Sequence, residues 1–428
     1  MEELAAAKGR CWTGKETPSQ VWERFSPQLG NEIKIIKELG SKAVPIVQFS
    51  DIVGHSVSPQ QISEVKKRGV CIIRNVVPKE VANEWHSQAQ QYVQQNKYFE
   101  QKTDVVDTFF DASKADISSF IFHLYWSKAQ IEARQHPNME LARGWMNRFW
   151  SFKTESGEYA FDPDKNISYA DRLRIRKPSP HAIPLKPHVD GGSVERWLDP
   201  NFLECYKDVF NGNWDKFDPW DGAKRVLVNE YESPNTSTVF RTFQGWLAIS
   251  AQGAGRATLQ VVPLLQHSIT ALLMRPLLPG DYGDDPLCGA KFGLQHVLTK
   301  EHEQILEGLV TIPDVEPGDA VFWHPDVIHA VEAHHNGELN SSVFYIGAVP
   351  LCEKNLSYAV KQRSTFENGQ SPPDFPKFHK EATWSFGRAT KEHLSELGNH
   401  QMGYTFWPES AFPDASSKSL QEKCKKLL

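Results

Sequence analysis

No stretch of this chain approaches the ~20 consecutive apolar residues that a membrane helix needs. The first ten residues are acidic from the second position and have no apolar centre, so they do not read as a secretory signal. Long Lys/Arg runs are missing as well. Asp and Glu outnumber Lys and Arg, 53 to 47, for a formal net charge of -6, so nucleic acid is not expected as a partner. No two of the six cysteines form a CxxC pair. Their wide spacing describes neither a disulfide framework nor a thiolate zinc site. The expectation is an intracellular, cytoplasmic protein with no membrane and no nucleic-acid partner.

The 428 residues are 40% hydrophobic and 23% charged, ordinary for a folded chain long enough to bury a large core. Residues 1–50 read as a polar N-terminal extension, a surface segment or an extra helix. Pro59–Arg68 has a helical pattern with Ser58 as its N-cap. The run Gly69–Val77 reads as a buried strand, and a helix is expected from Pro78 through Tyr92. Residues 113–150 look helical, with apolar positions every three or four residues. From Asp171 the texture changes to short strands separated by Gly/Pro clusters. The candidates are Arg172–Arg176, Gly245–Ser250, Ala257–Val262, Ile269–Met274, Ala320–Trp323 and Ser342–Ala348. Such a series argues for a β-sandwich or barrel, here a core over 171–350 within a single domain, 51–428. Residues 197–243, rich in Trp and Phe, interrupt it as an insertion or lid. Residues 351–428 form a C-terminal extension of helix and loop.

The chemistry-bearing residues gather in two places. In Lys186-Pro187-His188-Val189-Asp190-Gly191-Gly192, His188 and Asp190 stand two apart. On an extended strand they share a face, so an imidazole nitrogen and a carboxylate oxygen can converge on one metal. The two glycines that follow leave space and permit unusual backbone angles. Glu316–Val331 reads as a turn, an apolar strand, a loop and a second strand, and offers two histidines. His324 is followed by Pro325, which disturbs strand pairing; His329 opens a strand and is preferred as the third ligand. Two His and one carboxylate leave open positions and suit Fe(II). No HExxH helix suggests zinc hydrolysis.

These residues resemble the phytanoyl-CoA hydroxylase-like group of the Fe(II)/2-oxoglutarate-dependent oxygenase superfamily, and more narrowly the YbiU-like family. The likeness rests chiefly on His188–Trp197 (HVDGGSVERW), with Gly69–Val77, Leu173–Pro178, Gln244–Ser250 and Pro317–His329 in support. It implies a mainly β, α+β fold with flanking helices around a double-stranded β-helix, the jelly-roll or cupin-like core. It implies His188, Asp190 and His329 as catalytic iron ligands. The cofactors implied are Fe(II), 2-oxoglutarate and O2. The implied reaction hydroxylates a C–H bond of a small molecule and releases succinate and CO2.

One feature departs from that pattern. Many relatives in the superfamily anchor the far carboxylate of 2-oxoglutarate with an Arg shortly after the distal His, but residues 338–342 here are Glu-Leu-Asn-Ser-Ser. A buried dianion still needs a cation. Arg172, Arg174 and Arg176 would share one face of a strand, so Arg174 or Arg176 could form the pair, unless that face is the solvated side of an edge. Arg275 is another candidate, and Ser342 could add a hydroxyl. The strand of arginines also suggests an anionic substrate. Two rival readings stay open: a cupin-like metal enzyme that does not use 2-oxoglutarate, and a non-catalytic jelly-roll scaffold.

Overall fold

The computed structural model describes residues 9–100, 121–179, 185–229, 236–280, 282 and 285–428. Helix, at about 43%, outweighs strand, at about 16%, so the chain is mixed α+β rather than mainly β. Among the described residues no helix is long and apolar enough to cross a membrane.

The strands, in chain order, are β1 (Ile46–Gln48), β2 (Val70–Arg74), β3 (Ile121–Phe122), β4 (Asp162–Asn166), β5 (Leu173–Arg176), β6 (Leu185–Val189), β7 (Gln244–Ala248), β8 (Leu259–Val261), β9 (His296–Val297), β10 (Val310–Thr311), β11 (Ala320–Trp323), β12 (His329–Val331), β13 (Ser341–Tyr345) and β14 (Pro350–Leu351). They form a seven-stranded sheet, β1-β2-β11-β7-β13-β5-β3, and a five-stranded sheet, β10-β8-β12-β6-β9, with β14 and β4 paired apart. Every pairing is antiparallel except β1 with β2. The sheets are open, so a closed jelly roll is not what this architecture displays.

Several local expectations hold. The helix Pro59–Arg68 starts at its Ser58 cap, completed by Gln61 as a capping box, and stops at Gly69 in the left-handed region. β2 follows at once and is buried along its length except at Arg74. The Lys79–Gln95 helix is present too. Of the helical stretch expected over 113–150, residues 113–120 lie outside the described residues; the rest holds β3 and the helices Lys128–Arg134 and Pro137–Asn147.

Ile269–Met274 is a correction. It forms the second half of the helix Leu265–Met274, buried on nearly all sides. A short apolar run looks the same in a buried strand and a buried helix, because neither shows a polar face. The N-terminal region also does more than extend the chain. The helix Pro18–Leu39 buries Val21, Phe25, Leu29, Ile33 and Ile36, and these join a core cluster that includes Val189, next to His188. The aromatic residues Trp197, Trp214, Phe217 and Trp220 of the 197–243 insertion are all buried. They pack as core; Trp197 sits on the short helix Glu195–Leu198 and Trp214 opens the 3-10 turn Trp214–Lys216.

Candidate metal centre

β6 and β12 pair so that His188 stands opposite His329. Asp190 follows β6 at the start of the Gly191-Gly192 turn. The register therefore brings the three side chains together: one ligand atom from each lies within 4.8 Å of the others. The two rings have centroids 4.1 Å apart. Asp190 Oδ1 is 3.7 Å from His188 Nε2, and Oδ2 is 3.4 Å from His329 Nε2.

Backbone carbonyls set the rings. His188 Nδ1 lies 2.7 Å from the Lys186 carbonyl oxygen and His329 Nδ1 lies 3.0 Å from that of Val327. A carbonyl only accepts, so in a neutral ring Nδ1 carries the proton and Nε2 keeps its lone pair for the centre. Burial and the nearby His329 push His188 down to about 4, against the pull of Asp190. Burial would raise the Asp190 carboxyl, but His188, His329 and the Gln244 amide hold it well below the usual carboxylate range. His188 Nε2 is buried and has no hydrogen-bond partner. Three lone-pair donors therefore face one another, which is costly without a cation between them.

Two amides orient the carboxylate. Gln244 Nε2 donates to Asp190 Oδ2 at 2.7 Å, and Gln295 Nε2 donates to Oδ1 at 2.8 Å. Behind the turn, Arg196 donates to the carbonyl oxygen of Asp190 at 3.0 Å and Arg225 to that of Gly191 at 3.1 Å. Gly192 has φ +124°, and a Cβ there would meet the Phe202 ring at 2.6 Å. Only glycine fits this turn.

The triad opens into a cavity of about 170 Å³ between the two sheets. Its walls include Arg174 from β5, Trp246 from β7, Trp323 from β11 and Tyr345 from β13. Farther along stand Arg172, over the Phe375 ring at 5.2 Å, and Arg241, over the Tyr169 ring at 5.7 Å.

The arginine face of β5 points inward. Arg174 is 3% exposed and Arg176 is 4%, so the solvated-edge alternative fails. Arg174 lines the cavity, with Nη2 on the Gln252 amide oxygen at 2.9 Å and Nε buried without a partner. It forms no ion pair among the described residues. Arg176 does not line the cavity; it donates to the Ala257 carbonyl oxygen at 3.2 Å. Burial and the neighbouring Arg174 push it down to about 9. Arg275 is elsewhere, paired with Glu301 at 3.3 Å in a separate depression. Ser342 is buried in β13 against His86, 3.1 Å away, outside the cavity wall. His324 stacks on Trp150 and takes no part in the triad.

Glu195 and Arg196 were expected to touch substrate or pair with each other; Glu195 lines the cavity, and Arg196 does not pair with it. Glu195 accepts from the Ser193 amide and Arg196 pairs with Asp326. Gln244, Gln295, Arg225 and Asp326 were not singled out in the sequence. Only Asp326 carried a signal, as an acid inside the Trp323–His329 loop.

Known proteins align with almost the whole chain. The Gig2-like family profile matches residues 5–404. YbiU of Escherichia coli (strain K12) is 37% identical over 390 residues, covering 90% of this chain and 91% of YbiU. A crystal structure from Salmonella typhimurium LT2, provisionally described as an oxidoreductase, superposes with TM-score 0.84 at 37% identity, covering 94% of this chain and 95% of the other. GlcNAc Inducible Gene 2 of Candida albicans superposes with TM-score 0.85 at 28% identity, covering 99% and 94%. The narrow YbiU-like likeness of the sequence is thereby met.

Proposed function

This chain belongs to the Gig2-like family, and from its His188, Asp190 and His329 centre we propose that it is an Fe(II)- and 2-oxoglutarate-dependent oxygenase acting on a small molecule. The carrying observation is the buried His188 Nε2, without a partner and turned toward Asp190 and His329. The donor set fits: two imidazole nitrogens and one carboxylate on one face, with an open cavity on the other. The description of the Salmonella relative agrees with an oxidoreductase.

In this reading His188, Asp190 and His329 hold Fe(II), which with 2-oxoglutarate and O2 supplies the oxidising power for C–H hydroxylation. The chain's own residues bind, orient and shield. Gln244 and Gln295 fix the Asp190 carboxylate so that it presents to the metal without searching rotamers. Arg174, with its buried unpartnered Nε, receives the far carboxylate of 2-oxoglutarate. It lies on β5 beside Val343 of β13, and so fills from the neighbouring strand the role for which residues 338–342 offer no cation. Arg172 and Arg241, at the aromatic end of the cavity, would meet an anionic group of the substrate. The two sheets are read as an opened-out double-stranded β-helix of the phytanoyl-CoA hydroxylase-like kind.

The test is turnover of 2-oxoglutarate to succinate by protein loaded anaerobically with Fe(II) and then exposed to O2. Turnover in the wild type, lost in His188→Ala, Asp190→Ala and His329→Ala, is the expected result. Iron binding without any response to 2-oxoglutarate would hand the site to the cupin-like reading. Failure to bind iron at all would leave a non-catalytic scaffold.

A further inference from the structure

Asp190 begins where β6 ends, so no strand ladder holds it. Its place depends on the turn 190–192, whose three carbonyl oxygens all accept from buried guanidiniums. Arg196 Nη2 reaches the Asp190 oxygen at 3.0 Å and Arg196 Nε the Gly192 oxygen at 3.1 Å, while Arg225 Nη2 reaches that of Gly191 at 3.1 Å. Both arginines are held by one carboxylate. Asp326 Oδ1 accepts from Arg196 Nη1 at 2.9 Å and from Arg225 Nη2 at 2.9 Å, and Oδ2 accepts from Arg225 Nη1 at 3.1 Å and Tyr206 at 3.0 Å. Tyr206 also accepts from Arg196 and Arg225. Arg196 is 0% exposed, Asp326 and Tyr206 1% each, and Arg225 8%.

Asp326 stands three residues before His329 in the same loop. The next residue, Val327, supplies the carbonyl that sets the His329 ring. His324 braces the loop from the other side, accepting from the Asp326 amide at 3.0 Å.

We propose that Asp326 is the positioning residue of the metal centre: through Arg196 and Arg225 it ties the Asp190 turn to the His329 loop and so sets the spacing of two metal ligands from different elements. This rests on the metal reading given above. The physical reason is charge. Two guanidiniums buried this deeply are tolerable only around a carboxylate, and with it removed each becomes an uncompensated buried cation. The arginines would then leave the turn carbonyls for solvent or push apart, and Asp190 would lose its fixed place. Neutralising outer partners of metal ligands characteristically weakens metal affinity by about 10- to 100-fold.

The experiment uses the full chain without metal, titrated with Co(II) and followed by calorimetry and by visible absorption of the ion. Asp326→Asn is compared with wild type and with Glu140→Gln. Glu140 is likewise a carboxylate paired with a buried arginine, Arg143, but lies outside the cavity wall. The expected result is Co(II) affinity about 10- to 100-fold weaker in Asp326→Asn, with an altered absorption band at saturation, and unchanged affinity and band in Glu140→Gln. Arg225→Lys keeps the charge but cannot reach both Gly191 and Asp326, and weakens binding in the same direction. It carries the test if Asp326→Asn does not fold. Wild-type affinity and an unchanged band in Asp326→Asn, or equal weakening in Glu140→Gln, would overturn the positioning role alone. A wild type that binds no Co(II) would remove the metal reading beneath it.

Discussion

Gln244 and Gln295 hand two amide protons to one carboxylate, which makes Asp190 the most closely held of the three candidate ligands. Replacing either glutamine with Ala should weaken Co(II) binding by about 10- to 100-fold, less than the loss from Asp190→Ala, as read by calorimetric titration. Arg174→Ala is expected to raise the concentration of 2-oxoglutarate needed for half-maximal turnover while leaving Co(II) affinity intact. Arg275→Ala, away from the cavity, should change neither. Acid offers a further check. Burial and the nearby His329 push His188 down to about 4, and it binds metal only when neutral, so its share of the Co(II) affinity should be lost as pH drops through 4. The triad itself was legible because the two-residue spacing lets His188, on β6, and Asp190, just past its end, turn to one side, and because His329 opens an apolar strand. The glutamines were not, since nothing in a lone Gln tells which carboxylate it will meet after folding.

At the scale of elements, capping and turn chemistry did much of the specifying. Ser58 accepts from the Gln61 amide and Gln61 returns the bond. Ser58→Ala should therefore cost about 1 kcal/mol in chemical denaturation and leave metal binding unchanged. Gly192→Ala is predicted to be more damaging. The backbone angle alone costs about 1–3 kcal/mol for a residue with a Cβ, and Phe202 must move as well. Because the same turn carries Asp190, Co(II) affinity should fall together with stability. The apolar run at 269–274 marks where element reading ended. With no polar face to reveal the period, only packing against the Pro18–Leu39 helix and the 197–217 aromatics decided for helix.

At the scale of the whole molecule, the C-terminal extension is locked to the domain through Glu381. Its buried carboxylate accepts from the Tyr92 hydroxyl and from the amides of Tyr125 and Trp126. Burial pushes it up to about 7 in spite of those bonds. A carboxyl raised above its unfolded value stabilises the fold in its protonated form. That contribution is complete below the unfolded value of about 4.5 and is lost as pH rises through 7. The melting temperature of the wild type should therefore rise relative to Glu381→Gln as pH is lowered from 8 to 6. At the other end, Phe25 is fully buried and meets Trp214 edge-on at 4.9 Å. Phe25→Ala should cost about 3–5 kcal/mol in the same measurement, which a loose N-terminal extension would not. The sequence by itself determined the strands β5, β7, β11 and β13, the capped helix at 59–68 and the three residues that could hold a metal, because periodicity, caps and turns are written in neighbouring residues. Only the tertiary structure decided that the β5 arginines face inward, that Arg174 rather than Arg275 enters the cavity, and that Asp326 joins the two arms of the centre. Those facts depend on which strands pair and which face is covered, and the free energy that decides them is the burial of charge between segments far apart in the chain.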